Sequence, residues 1–207
     1  MDDGDRTIAA YDDRVDAYLA ARPATPPEAV VAWLQRFAGL VPGPRVLEIG
    51  SGPGDDADLL EGHGLRVQRS DASRAFVDRL RGLGHDALLL DLRRDPLPGG
   101  FDGVLADAVL LHLERDELDR ALRAICDALV PGGVLAYSLK EGDGETWSER
   151  KLGVPRRFVL WREPALRAAL ERAGLVAIEV QRVEGRADRW LQVLARRPPD
   201  PAETAAR

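Results

Sequence analysis

The chain has 207 residues, 45% hydrophobic and 31% charged, the balance of a globular protein able to bury one sizeable α/β core. A formal net charge of −6 argues against general nucleic-acid binding, and no apolar run approaches the ~20 residues that span a bilayer. The lone cysteine, Cys126, excludes an internal disulfide. With an acidic N-terminus (MDDGDRT) unlike a signal peptide, it points to the cytoplasm.

Two helical segments are expected first. Ile8, Tyr11, Val15, Tyr18 and Leu19 recur at spacings of three and four and make one amphipathic face. Arg22-Pro23-Ala24-Thr25-Pro26-Pro27 breaks that pattern, with Thr25 as N-cap and prolines in the first turn of a second helix. The second helix carries Val30, Val31, Leu34 and Phe37 and stops near Gly39, so residues 1–41 read as a helical cap. The main domain, 42–197, alternates strand and helix. Strands are expected at 45–50, 65–70, 86–91, 101–107, 133–139, 175–183 and 189–196, with helices near 55–62, 73–83, 115–130 and 163–173. Near-continuous apolar runs at 46–49, 87–90 and 104–109 suit parallel strands covered on both faces of a doubly wound α/β sheet. Cys126 falls on the apolar stripe of the 115–130 helix and reads as core. Between the last two strands, Glu184-Gly185-Arg186-Ala187-Asp188 is too short for a crossover helix, so they should pair antiparallel. The Pro/Ala-rich tail 198–207 is expected to be disordered.

The most informative stretch is Val46-Leu47-Glu48-Ile49-Gly50-Ser51-Gly52-Pro53-Gly54, an apolar run that ends in an acid and breaks into alternate glycines. Asp71 follows 17 residues after Gly54, at the end of the next strand. A glycine turn from strand into helix brings backbone close to a ligand, and an acid about 20 residues on binds ribose hydroxyls. A dinucleotide fingerprint places its third glycine one residue later, and Asp55-Asp56 in the first helical turn would repel a pyrophosphate. NAD(P) is therefore disfavoured. A sulfonium cofactor with an amino-acid tail suits the acids, which otherwise serve only to cap the helix.

The segments VLEIGSGPGDD, RSDAS, DALLLDL, FDGVLADAVLLHL and LVPGGVLAYSLKEG, in that order, resemble the motifs of the class I S-adenosylmethionine-dependent methyltransferases over about residues 6–197. The resemblance implies a Rossmann-like, seven-stranded, mostly parallel sheet with an antiparallel last strand. S-adenosylmethionine is then the cofactor, S-adenosylhomocysteine the product, and no metal is implied. Glu48, Gly50, Ser51, Gly52 and Gly54 would shape the cofactor turn. Asp71 would hold the ribose diol with Ala72 at backbone distance, and Asp91 would meet the adenine amino group while Leu92 packs beside the ring.

Several residues keep two readings. Glu48 supports the cofactor or only the turn, and Ser73 caps the following helix or touches ligand. Asp107, at the end of the fourth strand beside the sheet's switch point, contacts cofactor or acceptor. His112 takes a proton from an acceptor hydroxyl or amine, or packs before the helix that starts near Arg115. His63 and His85 lie in loops and read as solvated. The segment 140–161 is long for a loop and holds Trp147, Phe158 and Trp161 beside Arg150, Arg156 and Arg157. It forms an acceptor pocket for a planar or anionic group, or a covering flap with a basic edge. The N-terminal helix, with Tyr11 and Tyr18, would close over the cofactor as such helices do in the resembled family. The expected activity is methyl transfer to a small-molecule acceptor by a monomer or homodimer. A non-catalytic S-adenosylmethionine-binding module, or an RNA or protein acceptor, is the alternative. The Ala-Asp-Ala-Val that follows Leu105 lacks the signatures of DNA methyltransferases.

Overall fold

The computed structural model describes residues 2–200. Three helices open it: α1 (Asp3–Asp12), α2 (Val15–Ala20) and α3 (Glu28–Ala38). Then follow β1 (Arg45–Ile49), α4 (Asp55–Gly62), β2 (Arg66–Asp71), α5 (Arg74–Gly82), β3 (Ala87–Leu89) and β4 (Phe101–Ala106). A 3-10 turn at Leu110–His112 leads into α6 (Arg115–Ala128) and the long β5 (Leu129–Lys140). β6 (Glu145–Ser148), β7 (Arg156–Val159), α7 (Glu163–Arg172), β8 (Val176–Glu184) and β9 (Arg189–Arg196) complete it.

Seven strands form one sheet in the order β3-β2-β1-β4-β5-β9-β8. β1 to β5 pair in parallel, and β9 runs antiparallel to both β5 and β8. The short link from β8 to β9 allows no other direction, as its length in the sequence requires. Alternate residues of each strand face opposite layers. Val46, Leu105, Val134, Ala136 and Leu194 pack with Trp33, Leu34 and Phe37 of α3 and Leu60 of α4. Leu47, Ile49, Val104, Ala106, Leu135, Tyr137 and Leu139 pack with Leu118, Leu122 and Ile125 of α6 and Leu166 and Leu170 of α7. The fold is therefore the doubly wound, Rossmann-like sheet with an antiparallel last strand.

Several details differ from the sequence reading. The N-terminal amphipathic stretch is two helices, broken at Asp13-Arg14, so that Asp12 Oδ1 accepts from Ser73 Oγ (2.6 Å) and Ala75 N (3.0 Å) at the start of α5. Pro27, not Thr25, holds the N-cap position of α3, and its extended backbone (φ −58°, ψ 139°) keeps the prolines outside the helix. β5 begins at Leu129, four residues before the expected 133, because Leu129 already pairs with Phe101. Residues 140–161 are not one loop: β6 and β7 pair antiparallel as a separate ribbon. The cap 1–41 also divides. α3 belongs to the core, whereas α2 buries no residue and α1 buries only Thr7 and Ala10. Among the described residues no helix is long and apolar enough to cross a membrane. The expected disorder of 198–207 falls, from 201 on, outside the described residues.

Candidate active site

The sheet order reverses at β1, whose neighbours are β2 and β4, and a cleft opens at the C-terminal ends of these strands. Gly50 leaves β1 with φ +72°, and a Cβ there would collide with Val109 Cγ2, so only glycine fits. The turn is stitched to β2. Ser51 N donates to Ser70 O (2.8 Å), Ser51 Oγ accepts from Ser70 N (3.1 Å), and Gly52 N donates to Asp71 Oδ2 (2.8 Å). Ser73 N donates to the other Asp71 oxygen (2.8 Å), while Ser73 Oγ caps α5 at Phe76 N (3.3 Å). Burial pushes the Asp71 carboxyl up to about 6 against these opposing backbone bonds. Gly50, Gly52, Asp71, Ala72, Asp91, Leu92, Asp107 and His112 all line this cleft. Gly54, at the N-cap of α4, and the buried Glu48 and Ser51 stand behind the turn.

Three carboxyls gather where β1, α4 and β4 meet. Glu48 is 3% exposed, and its Oε2 has no hydrogen-bond partner. Burial pushes its carboxyl up to about 7. Asp56, in the first turn of α4, is pushed up to about 8 by burial and then by Asp107 and Glu48. Asp107 is raised as well, by burial, although it accepts a short bond from Ser138 Oγ. Ser138 Oγ in turn accepts from Ala108 N (3.0 Å), which holds Ala108 at φ +53°, a strained conformation at the cleft edge. Among the described residues none of these three acids has an ion-pair partner, whereas Asp55 pairs with Arg22 (3.1 Å). Glu48 is buried, Asp56 and Asp107 are half-buried, and none of the three faces a basic partner among the described residues, so the cluster has the chemistry to hold a cation.

At the opposite end, Asp91 is gripped by Arg93, with Nε to Oδ1 at 3.0 Å and Nη2 to Oδ2 at 2.7 Å. The same guanidinium reaches α1, donating to Asp2 (2.8 Å) and Asp5 (2.9 Å). It lies so close to α1 that a Cβ on Gly4 would overlap Nη1. The carboxylate expected to meet a ligand amino group is thus also the anchor of the N-terminal helix.

On the remaining side stands His112. Its Nδ1 donates to the Arg157 carbonyl (2.6 Å), which can only accept, so the neutral ring presents Nε2 as acceptor to the Tyr11 hydroxyl (3.0 Å). Tyr11 Oη accepts in turn from Arg156 Nη1 (2.9 Å). Burial, with Arg156 and Lys140 nearby, pushes His112 down to about 4. Both ring nitrogens are engaged and the ring is a weak base, which argues against direct proton abstraction.

A family profile described as a methyltransferase domain matches residues 18–180. The chain belongs to the class I S-adenosylmethionine-dependent methyltransferases. Solved structures agree on the fold. The methyltransferase is similar to the CcbJ methyltransferase of Streptomyces caelestis, with 21% identity and TM-score 0.74, over 91% of this chain and 98% of that one. It is also similar to the magnesium protoporphyrin IX methyltransferase of Synechocystis PCC 6803 with bound S-adenosylmethionine, with 19% identity, TM-score 0.72 and coverage of 95% and 98%. A third is the 1,6-didemethyltoxoflavin-N1-methyltransferase of Burkholderia thailandensis, holding its namesake compound and S-adenosylhomocysteine, with 21% identity, TM-score 0.68 and coverage of 92% and 88%. Comparison with curated proteins finds no match.

In this methyltransferase the 140–161 aromatics separate. Phe158 lines the cleft, Trp161 is buried in the core, and Trp147 lies outside beneath Arg6, 4.9 Å from its ring centre. Arg150 pairs with Asp188 (3.3 Å), and Arg157 with Glu114 (2.8 Å) and Glu145. His63 is exposed and His85 half-buried, and neither lines the cleft. Sequence reasoning missed Arg93 and Asp12, which fasten α1, and Lys151, which lines the cleft. The one signal for Lys151 was its rarity, as one of two lysines against 27 arginines.

Proposed function

We propose that the protein transfers a methyl group from S-adenosylmethionine to a small-molecule acceptor, and the observation that carries this is the cation-hungry acid cluster beside the glycine turn. When bound, the cofactor supplies an electrophilic methyl group on a cationic sulfur, and it carries an ammonium group at its amino-acid end. Glu48 Oε2, orphaned and buried, fits that ammonium together with Asp56 and Asp107. The backbone of Gly50, Ser51 and Gly52 leaves room for the amino-acid tail, and Gly54 starts the helix behind it. Asp71 retains a lone pair on each oxygen for a ribose diol. Ala72 and Leu92 offer a small apolar wall for the adenine, and Asp91 keeps lone pairs for its amino group while Arg93 fixes its orientation.

Methyl transfer from a sulfonium depends chiefly on alignment and exclusion of water. His112 serves here as a positioning residue whose Nε2 holds the Tyr11 hydroxyl, and with it the Tyr11 ring, at the acceptor side of the cleft. The acceptor side is enclosed by α1, the 3-10 turn and β7 rather than open as a basic face, which favours a small molecule over RNA or protein. The neighbours named for magnesium protoporphyrin IX and 1,6-didemethyltoxoflavin, both small molecules, are in keeping with that reading.

Calorimetry tests the donor half. S-adenosylhomocysteine should bind and NADP should not, and Asp71→Asn should weaken S-adenosylhomocysteine by about 1–3 kcal/mol, the worth of a charge-assisted hydrogen bond. Binding of NADP alone, or an unchanged affinity in the folded variant, sinks the assignment. Mass spectrometry of small-molecule panels incubated with S-adenosylmethionine tests the acceptor half.

A further inference from the structure

Two cations beside the acceptor cleft have no anionic partner among the described residues. Arg156, on β7, is 5% exposed, and its guanidinium carbon lies 5.2 Å from the ring centres of both Tyr11 and Phe158. Its Nη1 donates to the neutral Tyr11 hydroxyl, and its Nε is buried without a partner. Lys151 lines the cleft with Nζ 3.5 Å from the ring centre of Tyr18. Burial, reinforced by Arg156 and Arg22, pushes the Lys151 ammonium down to about 8. The two cations bracket the Tyr11–Tyr18 pair, whose ring centres are 5.9 Å apart.

Their neighbours are arranged differently. Lys140 pairs with Asp188 (3.0 Å), Arg157 with Glu114 (2.8 Å) and Arg162 with Asp143 (2.5 Å). Acids outnumber bases in this chain, 35 to 29, so a missing carboxylate at one place is not a shortage of carboxylates. A buried cation without a counter-ion is costly, and aromatic faces offset only part of that cost. The counter-ion is therefore expected to arrive with a ligand.

Granting that the cleft is a methyl-transfer site, we infer that the acceptor is an acid of aromatic size: its carboxylate or phosphate-type group pairs with Arg156 and Lys151, and its apolar body lies against Tyr11, Tyr18 and Phe158. A guanidinium grips either oxyanion through two parallel donors, and the ammonium adds a point charge.

The test titrates the S-adenosylhomocysteine-saturated protein with benzoate, phenylphosphonate and benzamide, which share a ring and differ in charge. At least one acid should bind about tenfold or more tighter than benzamide, the effect of one charge-assisted contact. The stronger of the two acids identifies the oxyanion geometry. Arg156→Gln and Lys151→Met should each remove most of that preference, Arg156→Lys should retain part of it, and S-adenosylhomocysteine affinity should not change in any of them. The proposal is overturned if benzamide matches both acids, if neither acid binds at millimolar concentration, or if the variants keep the preference. It is overturned as well if the variants weaken S-adenosylhomocysteine, because the cations then serve the cofactor's own carboxylate. Failure of the unaltered protein to bind S-adenosylhomocysteine would instead strike the methyltransferase reading itself.

Discussion

Glu48, Asp56 and Asp71 are carboxyls that burial holds above their ordinary values of 4.5, 3.8 and 3.8, at about 7, 8 and 6. The sign of their effect on stability follows from where the protons sit. The folded, ligand-free protein keeps protons that the unfolded chain releases from about pH 4 upward, so stability is greatest at low pH in this window and falls as pH rises towards 8. A tenfold difference in proton affinity corresponds to about 1.4 kcal/mol, and a protein of this size loses about 2–4 °C per kcal/mol. Thermal melts of the free protein should therefore drop by several degrees between pH 5 and 8. S-adenosylhomocysteine, which brings an ammonium to the ionised acids, should raise the melting temperature more at pH 8 than at pH 5. A flat profile, or a ligand effect that shrinks with pH, would count against the cluster as the cation site. His112 is another residue whose surroundings define its work. With an acceptor in hand, His112→Ala should lower kcat and raise the acceptor KM while cofactor affinity holds. His112→Gln, whose amide can donate to Arg157 O and accept from Tyr11, should recover part of the loss. A base would show no such rescue.

Among the elements, α1 carries the most consequence for its size. It buries only Thr7 and Ala10, so hydrophobic packing does not hold it in place. Polar contacts do: Asp2 and Asp5 on Arg93, Asp12 on the start of α5, and Tyr11 between His112 and Arg156. Arg93 is the hub, its side chain 6% exposed and shared by three aspartates. Arg93→Met should leave the sheet intact, raise amide exchange across 3–12, and speed release of S-adenosylhomocysteine. Protection of α1 as strong as in the unaltered protein would show that the clasp is incidental. The ribbon of β6 and β7 completes the same enclosure from the other side, since Arg157 N donates to Thr7 Oγ1 (3.3 Å) and Arg157 O accepts from His112.

For the molecule as a whole, the core and the enclosure are separable. The two large hydrophobic layers run through α3, α4, α6, α7 and every strand of the sheet but β3, which packs with α5 in a smaller cluster, and none of the three contains a residue of α1 or α2. A chain that starts after Ala20 should therefore fold with nearly unchanged circular dichroism, because the apolar burial that drives folding stays intact. It should bind S-adenosylhomocysteine about tenfold more weakly, a loss of about 1.4 kcal/mol from the missing cover. Unfolding of that shorter chain would show α1 and α2 to be part of the core after all.

The residues that make local structure were legible without coordinates. Alternating glycines between an apolar run and a helix, an acid at the end of the second strand, and a short link between the last two strands each act over short stretches of chain. They announced the glycine turn after β1, the place of Asp71 at the end of β2 and the antiparallel last strand because backbone sterics and hydrogen bonding operate between near neighbours. What lay beyond the sequence was pairing across distance. Asp91 and Arg93 are close in sequence, yet their meaning as a clasp depends on Asp2 and Asp5, remote from them along the chain. Tyr11, His112 and Arg156 form one chain of hydrogen bonds from three remote segments, and only their convergence engages both nitrogens of the histidine. Likewise, nothing local separates Arg156 from Arg157. Arg157 finds two glutamates across the fold and Arg156 finds none among the described residues, because a charge's environment is set by whatever the folded chain brings beside it.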